Sequence, residues 1–503
     1  MARFLHIGSV NLLIASDIHC FSSLIICLGL LVQHLMKIGF DISNAIKTLF
    51  FLSYISSGIT MYFLVNNLLK NKLSALLSSI LYLWLPYHFL IIFVSASMGI
   101  AFVFTFLPLL FLGIHLIRHG HKLGIPILSA GFAGIILSHI MHLVFLSPII
   151  LIFFLWEFLS IKKRITFIKN VCLGLVVGIL LSSFYLLPAT YYSQFTRVHQ
   201  ETGFYELYKR NFINFNQLIY SKWGFSPIVN NAKNGEISFQ LGVAQWVSIF
   251  TLAVLIIFKK IAKPYLTLSI YMLSAFVISV FLMLDFSKPI WGFLVKLVAV
   301  DFPFRLILPA SFIASICAGI ILVNFRKILQ LLILIFFIAL ATYANRNHIN
   351  VNLYTNFPIK TYLDLETEIT TNTFNEYLPI QANSKLLDKP WNEVIGENLI
   401  AYNTKQATNL LSFDIKVNRA TTISVGQFYF PGQALVIDNK ITPYEIDKNG
   451  KISSRISSGL HTVTVEYKET LLINFAKILT LLGILILFFL LVIEMRIRRF
   501  IKP

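Results

Sequence analysis

Ten times between residues 45 and 344, and once more at 472–493, the chain runs for about 20 residues with almost no charge. A helix needs ~20 mainly apolar residues to cross the ~30 Å hydrocarbon core of a bilayer, so this repetition constrains the fold more than any motif does. The stretches are 45–66, 73–92, 97–117, 123–140, 141–159, 168–187, 241–258, 264–284, 304–325, 328–344 and 472–493. A further apolar segment, 20–38, is made marginal by Gln33, His34 and Lys37. Hydrophobic residues make up 57% of the chain and charged ones 13%, against ~25% charged in soluble proteins. Soluble, disordered and disulfide-scaffold classes are excluded on this count. The expected fold class is an α-helical polytopic membrane protein with 11–12 spans.

The formal charge is +19. From Arg346 to Glu469 there are 12 Lys+Arg and 13 Asp+Glu, net −1, so the remainder carries +20. Much of that excess sits in short clusters between apolar runs: Arg118 to Lys122, Lys162 to Lys169, Lys259 to Lys263, Arg326-Lys327 and Arg496 to Lys502. Clusters of this kind mark cytoplasmic loops. The loops 188–240 and 285–303 and the segment 345–471 are therefore expected outside, with the C-terminus in the cytoplasm. A nucleic-acid partner would require a basic face on a folded domain, and none is expected. Cys20, Cys27, Cys172 and Cys317 all lie in apolar runs and imply no disulfide framework.

The segment 345–471 changes character. Alternating patterns occur at Thr421-Thr-Ile-Ser-Val425, Ala434-Leu-Val-Ile-Asp438 and His461-Thr-Val-Thr-Val-Glu-Tyr467, separated by the turn signals Pro431-Gly432 and Lys448-Asn-Gly450. They predict a small extracytoplasmic β-sandwich at about 408–470, with Val463 and Val465 inward and Thr462, Thr464 and Glu466 outward. The stretch 345–407 stays unassigned, and residues 1–44 read as an interfacial segment or a degenerate first span.

Acidic residues are scarce outside 345–471, and none falls within the middle of a span. Ion-coupled transporters usually place an ionisable group near the bilayer midplane, so a flippase or transporter is disfavoured. The strongest constellation is Asp301-Phe-Pro-Phe-Arg305, at the mouth of the span from 304. An arginine fork there suits a phosphate at headgroup depth; the competing reading is a snorkelling anchor paired with Asp301. His139 and His142 bracket a turn between spans, as a proton or metal site or as packing residues. No third ligand lies near them, so no metal is assigned. Tyr191 and Tyr192 open the aromatic loop 188–240, which suits sugar stacking or an interfacial belt. Gly174 and Gly178 are spaced for close helix approach.

Several segments, taken in order, resemble a bacterial family of polytopic membrane proteins labelled "6-pyruvoyl-tetrahydropterin synthase-related", with YfhO-type relatives. The matching stretches are Leu81-Tyr82-Leu-Trp-Leu-Pro86-Tyr87, Leu137-Ser138-His139, Leu181-Ser-Ser-Phe-Tyr-Leu-Leu-Pro188-Ala189 and Asp301-Phe-Pro-Phe-Arg305. Further along come Glu376-Tyr377-Leu378-Pro379, Tyr429-Phe-Pro431-Gly432 with Val436-Ile-Asp438, and Ser458-Gly459-Leu-His461. The family is similar to GT-C glycosyltransferases. The resemblance implies a bacterial inner membrane, a polyprenyl-phosphate sugar donor, membrane lipids as partners, and an acid in the first outer loop as base or ligand of a divalent cation. Arg305 would then hold the lipid phosphate, with Asp301, His139, His142, Tyr191 and Tyr192 as further substrate-binding residues and His139 lining the cavity, and the sandwich would cover it or bind acceptor. This chain departs from the pattern by starting Met1-Ala-Arg-Phe-Leu-His, which leaves Asp17 as the candidate catalytic acid. A shortened reading frame and a non-catalytic glycolipid-binding paralogue are the alternatives.

The charge pattern generates a topological prediction. A phosphatase reporter fused near Asn403 should be active, and one fused after Lys502 inactive; the reverse pattern would overturn the orientation.

Overall fold

The computed structural model describes residues 31–199, 207–224, 232–234, 237–296, 298, 300–349, 378–386, 393–407 and 409–501. Asp17, Glu201, Glu206 and the start of the Glu376-Tyr377-Leu378-Pro379 stretch lie outside them. The chain divides into two compact units. One is helical, comprising 24–182, 205–352 and 479–503; the other combines 183–204 with 353–478 and holds the strands.

In the helical unit, each apolar stretch forms a helix or a pair of helices. Among the described residues, eight helices are long and apolar enough to cross a membrane, or nine if one bent pair counts as a single span. This is fewer than the eleven stretches expected to span. Gly124–His139 and Val243–Ile257 have 16 and 15 residues, and at ~1.5 Å per residue they fall short of ~30 Å. The helix Ile307–Val323, entered through a tight turn at Pro303–Leu306, forms the centre. Of the most apolar 18 residues of Pro303–Val323 94% are buried, against 11% for the last helix, Leu471–Ile501. It is apolar all round, as a wholly enclosed helix must be, and packs against Lys72–Leu83, Val243–Ile257 and Lys263–Met283.

The stretch 73–92 is broken. Lys72–Leu83 and Pro86–Val94 are bent by 46°. Pro86 has no N–H and drives Leu85 into extended backbone (φ −74°, ψ 133°). Carbonyls around the break thereby lose their helical donors, and side chains supply replacements. Gln245 Nε2 donates to Leu81 O at 3.2 Å, Tyr54 Oη to Leu83 O at 3.2 Å, and Asn345 Nδ2 to Trp84 O at 2.7 Å. His88 Nδ1 lies 3.4 Å from Tyr82 O while its ring stacks on Phe104 at 4.0 Å. Close packing fixes the neighbouring helices. A Cβ at Gly113 would sit 2.4 Å from Leu128 N, and one at Gly174 2.8 Å from the Leu128 side chain. Ser129 Oγ bonds Gly174 O across that approach at 2.9 Å, which gives the glycine pair at 174 and 178 its packing role.

The other unit carries two antiparallel sheets. The strands are β1 (Val394–Ile395), β2 (Leu399–Ala407), β3 (Leu410–Val417), β4 (Thr421–Phe428), β5 (Gln433–Ile437), β6 (Lys440–Ile441), β7 (Glu445–Ile446), β8 (Lys451–Ile456) and β9 (Gly459–Tyr467). Their orders are β1-β4-β8-β7 and β2-β3-β9-β5-β6. Leu411, Phe413, Ile415, Val463 and Val465 of one sheet share a core with Ile423, Val425 and Ile452 of the other, so the two sheets form a sandwich. Strands β1 and β2 precede residue 408. A second core surrounds Tyr192, with Leu378, Ala382, Phe428 and Phe430. Arg197 N donates to Leu378 O at 3.0 Å, which ties the segment after Tyr192 to the strand unit.

In β9, Val463 and Val465 are buried and Thr462 is exposed, whereas Thr464 and Glu466 are half-buried. Thr464 faces Ser412 across the ladder, with their hydroxyls 2.8 Å apart. Val465→Asp is therefore expected to unfold the sandwich, because it buries a charge where a valine contributes ~1.5–3 kcal/mol. Thr464→Val should cost about 1 kcal/mol, the worth of one hydroxyl pair. Trypsin sensitivity of the strand unit in the intact, detergent-solubilised protein measures both; equal sensitivity at the two positions would contradict this packing.

Candidate functional site

In the helical unit, residues from three separated segments converge. Pro303 starts the turn leading into the central helix, which places Asp301 and Arg305 four residues apart across it. Arg305 Nη2 meets Asp301 Oδ2 at 2.7 Å, and the guanidinium lies over the Phe302 ring at 5.1 Å. The other carboxylate oxygen of Asp301 accepts from Phe302 N at 2.7 Å. Arg305 Nη1 reaches His139 Nε2 at 3.0 Å, bridging 166 positions of sequence. His139 ends one helix and His142 lies in the first turn of the next, Met141–Leu159. Their rings stand edge to face with centroids 4.5 Å apart. His142 is fully buried and neither of its ring nitrogens has a hydrogen-bond partner. Tyr87, just beyond the break at Pro86, is buried within electrostatic reach of both Arg305 and Asp301.

The structure thus joins Arg305, Asp301, His139 and His142. Tyr191 and Tyr192 belong to the strand unit instead, where Tyr192 packs on Phe430 and its hydroxyl bonds that of Thr470. Tyr191 is exposed and packs edge-on against Tyr192. Among the described residues no group of three His, Cys, Asp or Glu side chains could hold a metal. The cluster's donors do not suit a divalent cation, because its carboxylate is committed to Arg305 and its imidazoles lie beside that positive charge.

One network was not legible as a site. Glu157 reads as a charge at the end of a span, yet it is fully buried. Its carboxylate meets His115 Nδ1 at 2.6 Å and Arg118 Nε at 3.0 Å. Arg118 also covers the Trp156 ring at 5.5 Å. The signal available was a single acid in a 19-residue apolar helix, with His115 and Arg118 one turn apart on another. A buried carboxylate requires such partners, and the three side chains lock the two helices together.

Compared with family models, with characterised proteins and with solved structures, the chain finds no match. The side-chain geometry therefore carries the functional reading.

The strand unit holds an arrangement that outwardly resembles a catalytic triad. Asp438 Oδ2 lies 2.7 Å from His461 Nδ1, and His461 Nε2 lies 3.4 Å from Ser457 Oγ. The same Nε2 is closer to the Ser457 carbonyl oxygen, at 3.2 Å. At 3.4 Å the hydroxyl is not held close to that nitrogen, as a nucleophile is by its base. The three residues form a clasp between the turn after β5 and the turn before β9. The hydrogen bond from His461, aided by Thr462 N at 2.9 Å, holds the Asp438 carboxyl below its usual range. A depressed acid stabilises the fold above its unfolded value of ~3.9 and loses that contribution as pH falls through the lower folded value. Hydrogen-exchange protection of the Thr462 amide should accordingly stay level from about pH 7 to 5 and decline below about pH 4. In Asp438→Asn the decline should be absent; an unchanged acid limb in that variant would remove the carboxylate from the clasp.

Proposed function

We propose that the chain is a GT-C-like multi-pass protein of a bacterial inner membrane, with its C-terminus in the cytoplasm. It transfers a sugar from a polyprenyl-phosphate donor to an envelope glycan or lipid on the extracytoplasmic face. The observation that supports this reading is the convergence of Arg305, Asp301, His139 and His142 where the central helix begins. A guanidinium with a neighbouring pair of imidazoles is a receptor for a phosphoryl group. Its place at the end of an apolar helix, set against the basic cluster Arg326-Lys327 at the other end, suits a lipid whose chain lies among the helices.

Asp301 and His139 hold the guanidinium from two sides. That fixes its plane before a ligand arrives, so little side-chain entropy remains to be lost on binding. No step is routed through a cation. A second reading, an accessory protein that binds glycolipid without turning it over, draws on the same geometry. Asp301, the carboxylate of the cluster, is already spent on Arg305 and Phe302 N, and a general base needs a free one. The candidate acid Asp17 lies outside the described residues.

Arg305→Lys should weaken binding of a polyprenyl phosphate, since an ammonium cannot serve Asp301 and His139 while also facing phosphate. Arg305→Ala should weaken it further, by ~1.5–3 kcal/mol. Binding to purified wild type and both variants in nanodiscs provides the measurement. A snorkelling anchor would tolerate Lys fully, and that result would remove the phosphate site. Sugar transfer from a polyprenyl-phosphate sugar by the purified protein separates the enzyme from the accessory protein.

A further inference from the structure

One short helix is not accounted for by the Arg305 cluster or by the packing of the core. The span Lys263–Met283 has 21 residues. At ~1.5 Å per residue it covers about 31 Å, the hydrocarbon thickness of a bilayer. The basic cluster 259–263 marks one boundary, so Leu284 stands at the other. There the backbone turns extended (φ −97°, ψ 153°), and a new helix, Lys288–Leu294, follows the tight turn Asp285–Ser287. Trp291 Nε1 donates to Leu282 O at 2.8 Å and to Ser287 Oγ at 3.1 Å. In one continued helix, positions 282 and 291 would be about 13.5 Å apart along the axis, a distance no indole bridges. The second helix therefore lies across the end of the first and does not prolong it.

Three kinds of side chain divide its circumference. Ser287 and Trp291 are buried against the end of the span. Asp285, Lys288 and Lys296 are charged. Lys288 Nζ meets Asp285 Oδ1 at 2.9 Å and covers the Phe212 ring at 5.6 Å, while Lys233 meets the other oxygen of Asp285. Phe286, Ile290 and Phe293, spaced i, i+4 and i+7, form a third face and are 81%, 44% and 63% exposed. That spacing makes one stripe on a helix, and large apolar side chains exposed together mark an interaction surface. The neighbouring charges rule out the bilayer core as its surround, because an ion there is costly. We propose that 285–294 is an interfacial segment lying in the membrane surface. Phe286, Ile290 and Phe293 enter the boundary between headgroups and acyl chains, and Lys288 and Lys296 stay level with the phosphates. The inference rests on the chain's spanning a membrane and not on the phosphate reading. The buried face of the segment also reaches the Arg305 cluster. The Trp291 and Phe145 rings are 5.6 Å apart, and those of Phe145 and His142 6.4 Å. The depth at which the segment rides thereby sets the depth of the cluster.

The test measures depth on the full chain in nanodiscs of phosphatidylethanolamine and phosphatidylglycerol. With the four native cysteines replaced by alanine, a nitroxide is attached through Phe286→Cys, Ile290→Cys, Phe293→Cys, Lys288→Cys, Lys296→Cys or Ile270→Cys, one at a time. All six positions are exposed, so the label displaces no core side chain, and Ile270 lies near the middle of its span. Collisions with oxygen, which enters lipid, are compared with collisions with a nickel chelate, which stays in water. Oxygen should prevail at Phe286, Ile290 and Phe293, at a depth of ~5–10 Å below the headgroups. The chelate should prevail at Lys288 and Lys296, and the ratio should favour oxygen most at Ile270. On the unlabelled wild type, a lipid with its photoreactive group near the headgroup should mark 285–294 more heavily than one carrying it at the chain end. Three results would each overturn the proposal: a stripe dominated by the chelate, a stripe as deep as Ile270, or a stripe shielded from both reagents, as a partner chain would shield it. The reverse order of photolabelling would do the same. Chelate prevailing at Ile270 would remove the membrane-spanning reading itself, whereas a wet stripe with a lipid-embedded Ile270 would remove only this inference.

Discussion

A backbone carbonyl in an apolar surround must find a donor or cost several kcal/mol, and the helical unit is organised around one place where that requirement is acute. Pro86 interrupts a helix well inside the unit and strips carbonyls of their donors. Tyr54, Gln245 and Asn345 come from three other helices to replace them. Each of those helices is thereby tied in register to the break. The break in turn carries Tyr87 to the neighbourhood of Arg305 and Asp301. Backbone satisfaction and site geometry are the same set of contacts seen from two sides.

The helix positions were legible in the sequence because apolar length is a local property, and every stretch marked out by hydropathy is helical. The break within 73–92 was less so. A Trp-Leu-Pro in an apolar run signals a kink, yet whether the chain resumes straight depends on donors 29 to 261 positions away. The sandwich was visible where one face is buried, as in β9, whose valines alternate with polar residues. Strand β2 escaped notice for a physical reason: nearly all of its residues are exposed, so no period-two pattern exists to be read. Asp301 and Arg305 announced themselves as a pair at helical spacing. Their union with His139 did not, because nothing local ties position 305 to position 139. Tyr192 illustrates the converse. It looked like a ligand-facing aromatic at a loop entrance, and its ring instead fills a core with Phe430.

Two buried charge networks, Arg305–Asp301–His139 and Glu157–His115–Arg118, occupy the helical unit. The Glu157 network links its acid to an imidazole and a guanidinium, as a structural tie should. The Arg305 cluster neutralises its charge fully while leaving imidazole nitrogens without partners.

The contrast between the central helix and the last one extends to how the sequence can drift. On Ile307–Val323 almost every side chain meets protein, so a change of even one methylene has a neighbour to displace or a void to leave. Only 11% of the last helix's apolar stretch is buried, and at its exposed positions leucine, isoleucine, valine and phenylalanine are nearly interchangeable so long as the stretch stays apolar. Divergence between related chains should therefore accumulate on the last helix and spare the central one. An alignment judged by overall identity would then understate the kinship of two proteins that share this interior.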